Sequence, residues 1–256
     1  MTESAAPRVS IVVPAYNEGD DIIAGLQRIV DAVTLDSEVL IVVDTESDTT
    51  IPPVTAFRET NPQVSILIND YGRGPANAIR YGIDHAHAST TVVTMADGCD
   101  DPRQIDDLVR LVERGVVVAA ASRYMAGGQQ VGGPRFKSFL SRTAGRSLHL
   151  FCGIGTRDAT NSFKAYNSEF VREVGIDSRD GFEIGLELTA KAKRLRRPVA
   201  EIPTIWLDRT FGQSNFQLGK WIPKYLRWYR FAYGPQLTLD ELRAKSQTVE
   251  AKDNNS

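Results

Sequence analysis

Several acids in this chain follow short apolar runs, where they could bind a phosphorylated ligand. Asp44 follows the apolar run 39–43, and Asp97 follows the run 91–95, with Asp100-Asp101-Pro102 just beyond. The first apolar run, 9–13, leads into Pro14-Ala15-Tyr16-Asn17-Glu18. Acids in such places can hold a ribose or a base, or bind a divalent cation. Asp is also a common helix N-cap after a strand, so neither residue carries the argument alone. No GxGxxG follows the first run, and no GxxxxGK[ST] occurs. An acid edge without a glycine cradle points to diphosphate held through a metal ion. His85 and His87, two residues apart, would face different ways on a helix and are no metal pair. Glu183 and Glu187, one helical turn apart, read as capping or solvated side chains and stay outside the catalytic set.

Those residues need a scaffold. Short β-branched runs recur at 9–13, 39–43, 64–68, 91–95 and 116–120. Between most of them lie stretches of helical period. Ile22, Ile23, Leu26, Ile29, Val30 and Val33 recur at three- and four-residue steps, as do Ile105, Leu108, Val109 and Val112. Strands alternating with helices predict βαβ units in a mostly parallel sheet. Ligands of such sheets bind beyond the carboxyl ends of the strands. Pro52-Pro53 predicts an irregular stretch, and the glycine-rich 127–134 predicts a mobile loop. Helices are expected near 137–151 and 182–195, and a strand near 199–206. One domain is expected over 1–236, followed by a polar, disordered tail over 237–256.

On an ideal helix over 220–231, Trp221, Ile222, Tyr225, Leu226, Trp228 and Tyr229 fill one arc. Lys220, Lys224, Arg227 and Arg230 fill the opposite one. Pro223 fits best in a first turn, which starts the helix near Lys220. Such a helix packs on the domain or lies in a membrane interface.

A length of 256 residues suits one large domain whose core needs no disulfide. Cys99 and Cys152 are far apart and form no CxxC, which suits a reduced, cytoplasmic setting. A net charge of −2 argues against a partner recognised through nucleic-acid phosphates. Residues 1–7 lack the pattern of a signal peptide, and no apolar run approaches the ~18–20 residues of a membrane span.

The string Ser10-Ile11-Val12-Val13-Pro14-Ala15-Tyr16-Asn17-Glu18 resembles the opening of family 2 glycosyltransferases with the GT-A fold. Within them the likeness is to polyprenyl-phosphate (dolichyl-phosphate) mannosyl- and glucosyltransferases. It runs over about 8–235, through Ala121-Ser122-Arg123-Tyr124, Asp158-Ala159-Thr160-Asn161-Ser162-Phe163-Lys164 and Gly181-Phe182-Glu183. It ends with Glu201-Ile202-Pro203-Thr204-Ile205-Trp206-Leu207-Asp208-Arg209 and Gly212-Gln213-Ser214-Asn215-Phe216. Two departures stand out. Met95-Ala96-Asp97 replaces the usual Asp-x-Asp, and Thr45 replaces the second acid after Asp44.

The resemblance implies a GT-A fold, a Rossmann-like and mostly parallel sheet flanked by helices. It also implies inverting transfer of a hexose from a nucleotide sugar to a polyprenyl phosphate, with Mg²⁺ or Mn²⁺ as cofactor. Pro14, Tyr16, Glu18 and Asp44 would line the nucleoside pocket. Asp97 would bind the cation, helped by Asp100 or Asp101, and Arg209 would meet the diphosphate. Arg123, with Lys137 and Ser141, would hold the acceptor phosphate. Asp158 would sit near the reacting sugar, which makes Asp97, Asp158 and Arg209 the expected catalytic set. The partners implied are the donor, the lipid acceptor and a membrane surface, with peripheral placement on its cytoplasmic face. Two alternatives stay open. One is transfer to a saccharide or small-molecule hydroxyl, with Asp158 as general base. The other is a weakly active nucleotide-sugar-binding module.

Overall fold

The computed structural model describes residues 6–208 and 218–253. The strands are β1 (Val9–Pro14), β2 (Ser37–Val43), β3 (Val64–Ile68), β4 (Thr90–Val93), β5 (Val118–Ser122), β6 (Gln129–Val131), β7 (Lys164–Asn167), β8 (Val199–Pro203) and β9 (Ile205–Leu207). The helices are α1 (Asp21–Ala32), α2 (Ile51–Arg58), α3 (Pro75–Asp84), α4 (Ile105–Glu113), α5 (Arg135–Ser147), α6 (Ser168–Val174), α7 (Ile184–Arg194), α8 (Leu218–Ala232) and α9 (Leu239–Asp253). A π-helical turn, Leu148–Cys152, extends α5.

Seven strands form one sheet in the order β3-β2-β1-β4-β7-β5-β8, and β6 pairs with β9 in a short parallel ribbon. Strands β1 to β4 are mutually parallel where they pair, and β5 is parallel to β8. Only β7 runs against its neighbours, β4 and β5. This is the expected mostly parallel α/β architecture.

Every residue of β1 is buried, as a strand covered on both faces requires. Alternation sends Ile11 and Val13 toward Ile22, Leu26 and Leu108 of α1 and α4. Val12 points the other way, to Ala78 and Ile79 of α3. Each such aliphatic side chain stabilises the fold by roughly 1.5–3 kcal/mol. Helix α3 lies so close to the sheet that a Cβ at Gly82 would collide with Val12 and would stand 2.9 Å from Val42 Cγ2.

Several expectations change. Pro52 and Pro53 do not interrupt a helix but open α2, because their missing N–H groups fall in the unpaired first turn. Three residues of the expected loop 127–134 are ordered as β6, since β9 offers them a pairing edge. The expected strand 199–206 is two strands, one in each sheet. The segment expected to be a disordered tail is helical as α9, because Leu237 and Leu242 are buried beside Phe170, Val171 and Val174. Residues 254–256 lie outside the described ones.

Helix α8 starts at Leu218, two residues before the expected start, and holds Pro223 inside. Trp228 is only 3% exposed and packs with Leu148, Ile154, Leu186 and Ala190. Its Nε1 donates to Ser178 Oγ at 2.9 Å, and the hydroxyls of Tyr229 and Ser147 lie 2.8 Å apart. Of the two readings of 220–231, packing on the domain describes these aromatic side chains. Among the described residues no helix is long and apolar enough to cross a membrane.

Candidate active site

The carboxyl ends of β1, β2 and β3 are tied into one rim. Asn17 adopts φ +53°, a left-handed conformation that Asn tolerates. Its N–H donates to both oxygens of Asp48 at 3.1 Å, and the Glu18 N–H donates to Thr50 Oγ1 at 3.1 Å. Asp44 accepts from Asn69 Nδ2 and from the Gly74 N–H, each at 2.9 Å. Pro14 is buried, whereas Tyr16 is exposed and Asp44 and Glu18 are half-buried at this rim. The structure therefore brings the four expected nucleoside residues to neighbouring strand ends. Sequence reasoning missed Asp48, the buried acid that shapes the turn; its signal was Asp48-Thr49-Thr50 directly before a helix.

Beyond β4 lie Asp97 and Asp100. Thr94 Oγ1 donates to Asp100 Oδ2 at 2.9 Å, and the Cys99 N–H donates to Asp97 Oδ1 at 3.1 Å. Burial, and then the neighbouring charge of Asp97, push the Asp100 carboxyl up to about 6. Asp101 serves a different end. It caps the turn Pro102–Gln104 and is bound by Arg103, whose hydrogen bond holds its carboxyl below the usual range. Of the two acids named as helpers of Asp97, Asp100 is the one whose charge meets it.

The third group centres on Arg123, at the end of β5. Its Nε and Nη2 donate to Asp158 Oδ2 and Oδ1 at 2.7 and 2.9 Å, and its N–H donates to Oδ2 at 3.0 Å. Nη2 also stands 3.5 Å from Ser141 Oγ, which lies 2.6 Å from Thr160 Oγ1. Asp158 has no exposed surface. Burial alone would raise its carboxyl, but the guanidinium prevails and holds it below the usual range. Both oxygens of Asp158, which is expected near the reacting sugar, are engaged by Arg123.

Lys164, on β7, was not predicted. It is fully buried and donates to the carbonyls of Asn161 and, at 3.2 Å, Ala159. Burial pushes its ammonium down to about 7. The readable sign was a lysine inside the apolar run Phe163-Lys164-Ala165-Tyr166. Glu201 holds the loop before Asp158 by accepting from the Arg157 N–H at 2.7 Å.

Glu183, set aside as a cap, is 2% exposed, and its Oε2 has no hydrogen-bond partner. Burial raises its carboxyl, and its charge acts on the Tyr225 hydroxyl, which Arg123 also influences. Arg209 lies outside the described residues, as does the side chain of Lys137 on α5.

The rim, the acid pair and the anchored arginine all stand at the strand ends where an α/β sheet binds ligands. Residues 10–175 match the model of glycosyl transferase family 2. The chain belongs to that family. It is a glycosyltransferase. It is 26% identical over 230 residues to an undecaprenyl-phosphate mannosyltransferase of Micrococcus luteus, covering 86% of this chain and 93% of that one. It is 29% identical over 225 residues to a dolichol-phosphate mannosyltransferase of Pyrococcus furiosus, covering 86% of this chain and 62% of that one. A mannosyltransferase from Pyrobaculum calidifontis, solved with GDP-Man and Mn²⁺, shares the fold with a TM-score of 0.61 at 19% identity, over 95% of this chain and 70% of that one. The glycosyltransferase has the GT-A fold expected from its opening residues.

Proposed function

We propose that this glycosyltransferase moves a hexose from a nucleotide sugar to a polyprenyl phosphate at a membrane surface, with inversion at the anomeric carbon. The two relatives named for lipid-phosphate mannosyl transfer make mannose the first sugar to test. The observation that carries the reading is the anchored Arg123 with Ser141 in reach. A phosphate acceptor arrives anionic, so it needs positioning more than a general base. The base expected for the hydroxyl-acceptor alternative is Asp158, and Arg123 occupies both of its oxygens.

Asp97 and Asp100 suit a divalent cation by donor chemistry, because two carboxylates whose charges meet attract one; among the described residues they form no cluster of three or more such side chains. Two carboxylates suit Mg²⁺ or Mn²⁺ when diphosphate oxygens and water supply the other ligands. When bound, such a cation neutralises charge on the departing nucleoside diphosphate. Asp44 and the turn at Tyr16–Glu18 receive the nucleoside, Arg209 meets the diphosphate, and Lys137 joins Arg123 at the acceptor phosphate.

The test is release of nucleoside diphosphate from a panel including GDP-mannose and UDP-glucose, with Mn²⁺ and a short-chain polyprenyl phosphate. Release that requires the polyprenyl phosphate is expected. Turnover only with saccharide acceptors would replace the reading, and tight donor binding without turnover would leave a binding module. Arg123→Ala is expected to raise the acceptor KM at least tenfold and leave the donor KM unchanged; the reverse pattern would overturn its assignment.

A further inference from the structure

Helix α5 turns its small residues inward and its phenylalanines outward. At ~100° per residue, Ser138, Ser141, Gly145 and Leu148 share one arc. Gly145 is buried against the backbone of Arg157, where any Cβ would collide with the carbonyl oxygen, and Ser141 pairs with Thr160. The opposite arc carries Phe136, Phe139, Thr143 and Arg146, all exposed, with exposed Arg142 on its flank. Leu150 and Phe151 continue the apolar surface on the π-helical turn. At 65% for Phe136 and for Phe139, 72% for Leu150 and 78% for Phe151, these are the four most exposed large apolar side chains among the described residues. A helix on a soluble domain has the reverse arrangement, with aromatic residues toward the core.

Charge indicates what covers this surface. No Asp or Glu occurs between Glu113 and Asp158, and Arg142 and Arg146 stand exposed among the apolar side chains. We infer that α5 and its π-helical turn are the face by which this protein lies on an anionic lipid bilayer. Aromatic rings sit at headgroup depth, while arginines extend to lipid phosphates. The 13-residue helix gives a rod about 20 Å long whose outward arc meets a flat anionic surface along its length. Ser141 on its inner arc then sets the Arg123 site beside the bilayer. The membrane setting rests on the acceptor proposed above, but the surface itself is tested without that acceptor.

Flotation of the whole protein with vesicles of phosphatidylglycerol and phosphatidylcholine, against phosphatidylcholine alone, reads the surface. Binding to the anionic vesicles is expected at low salt and should weaken at about 1 M, where charges are screened within about 3 Å. Phe136→Ser with Phe139→Ser, or Leu150→Ser with Phe151→Ser, should each lower vesicle affinity at least tenfold. Neither pair should change the melting temperature or turnover on a soluble short-chain polyprenyl phosphate. Ile222→Ser with Leu226→Ser on α8 should bind like wild type. Wild-type protein that ignores anionic vesicles overturns the inference. So does undiminished binding by both α5-side variants, or loss of binding from the α8 variant alone. Anionic-vesicle binding that depends on α5, without turnover on any polyprenyl phosphate, upholds the surface and sinks the acceptor reading.

Discussion

Replacing Asp158 by Asn removes one charge from the centre of the site and keeps the side chain's shape. The lost carboxylate is fully buried and accepts three N–H bonds from Arg123, at 2.7, 2.9 and 3.0 Å. Stranding the partner of a buried ion pair costs roughly 3–5 kcal/mol. At about 2–4 °C per kcal/mol for a domain of this size, Asp158→Asn should melt roughly 10 °C below wild type. Arg123→Met should be destabilised for the converse reason. The double variant leaves no unpaired charge, so it should recover most of the loss. A guanidinium displaced by about 1 Å can cost about a hundredfold in reaction. In Asp158→Asn that loss should appear as a raised acceptor KM, with the donor KM unchanged. A lost general base would instead lower kcat by about 10²–10⁴ and remove the acidic limb of its pH profile. Thermal unfolding of the four proteins, with kinetics on both substrates, measures these quantities. Additive stability losses in the double variant, or a collapse in kcat at constant acceptor KM, would refute the positioning role.

Asp97→Ala should abolish turnover while leaving the melting temperature within a few degrees, and full turnover in excess chelator would contradict the metal assignment. Glu183→Gln should change kcat by less than about tenfold on a polyprenyl phosphate, because that acceptor needs no base; a fall of ~10³ would move weight to a hydroxyl acceptor with Glu183 as its base. Burial depresses the Lys164 ammonium from 10.5 to about 7. Between those values the unfolded chain holds more protons, so this group makes stability rise with pH above about 7, by about 2 kcal/mol at pH 9. Urea unfolding of Lys164→Met at pH 7 and 9 should lack that increment, and an unchanged increment would assign it to another group.

Apolar runs and periodicity made the five leading strands and their helices legible, because a strand covered on both faces is a nearly continuous apolar run and every third or fourth residue of a packed helix must be apolar. The strand-end acids Asp44 and Asp97 were legible too, since position after a strand is a local property. Strand β7 was not, because its charged opening residue, Lys164, breaks the apolar pattern and is tolerated only by carbonyls that the fold brings to it. Asp158 was legible as a residue of the site but not as a partner, because its ligand lies 35 positions away.

The sequence by itself determined an α/β chain with acids at its strand ends, and its motifs carried the resemblance to family 2 glycosyltransferases. Local spacing and residue type carry the α/β pattern, and short-range sterics translate them into strands and helices. Only the tertiary structure decided which acid joins Asp97, which charge holds Arg123, and which aromatic helix keeps its rings outside. Trp228 on α8 finds a buried pocket and a hydrogen-bond acceptor, Ser178, whereas Phe136 and Phe139 on α5 find none. An amphipathic arc read from sequence states that one side differs from the other. Which side is covered depends on the neighbours that distant parts of the chain supply, and that depends on how the whole chain packs.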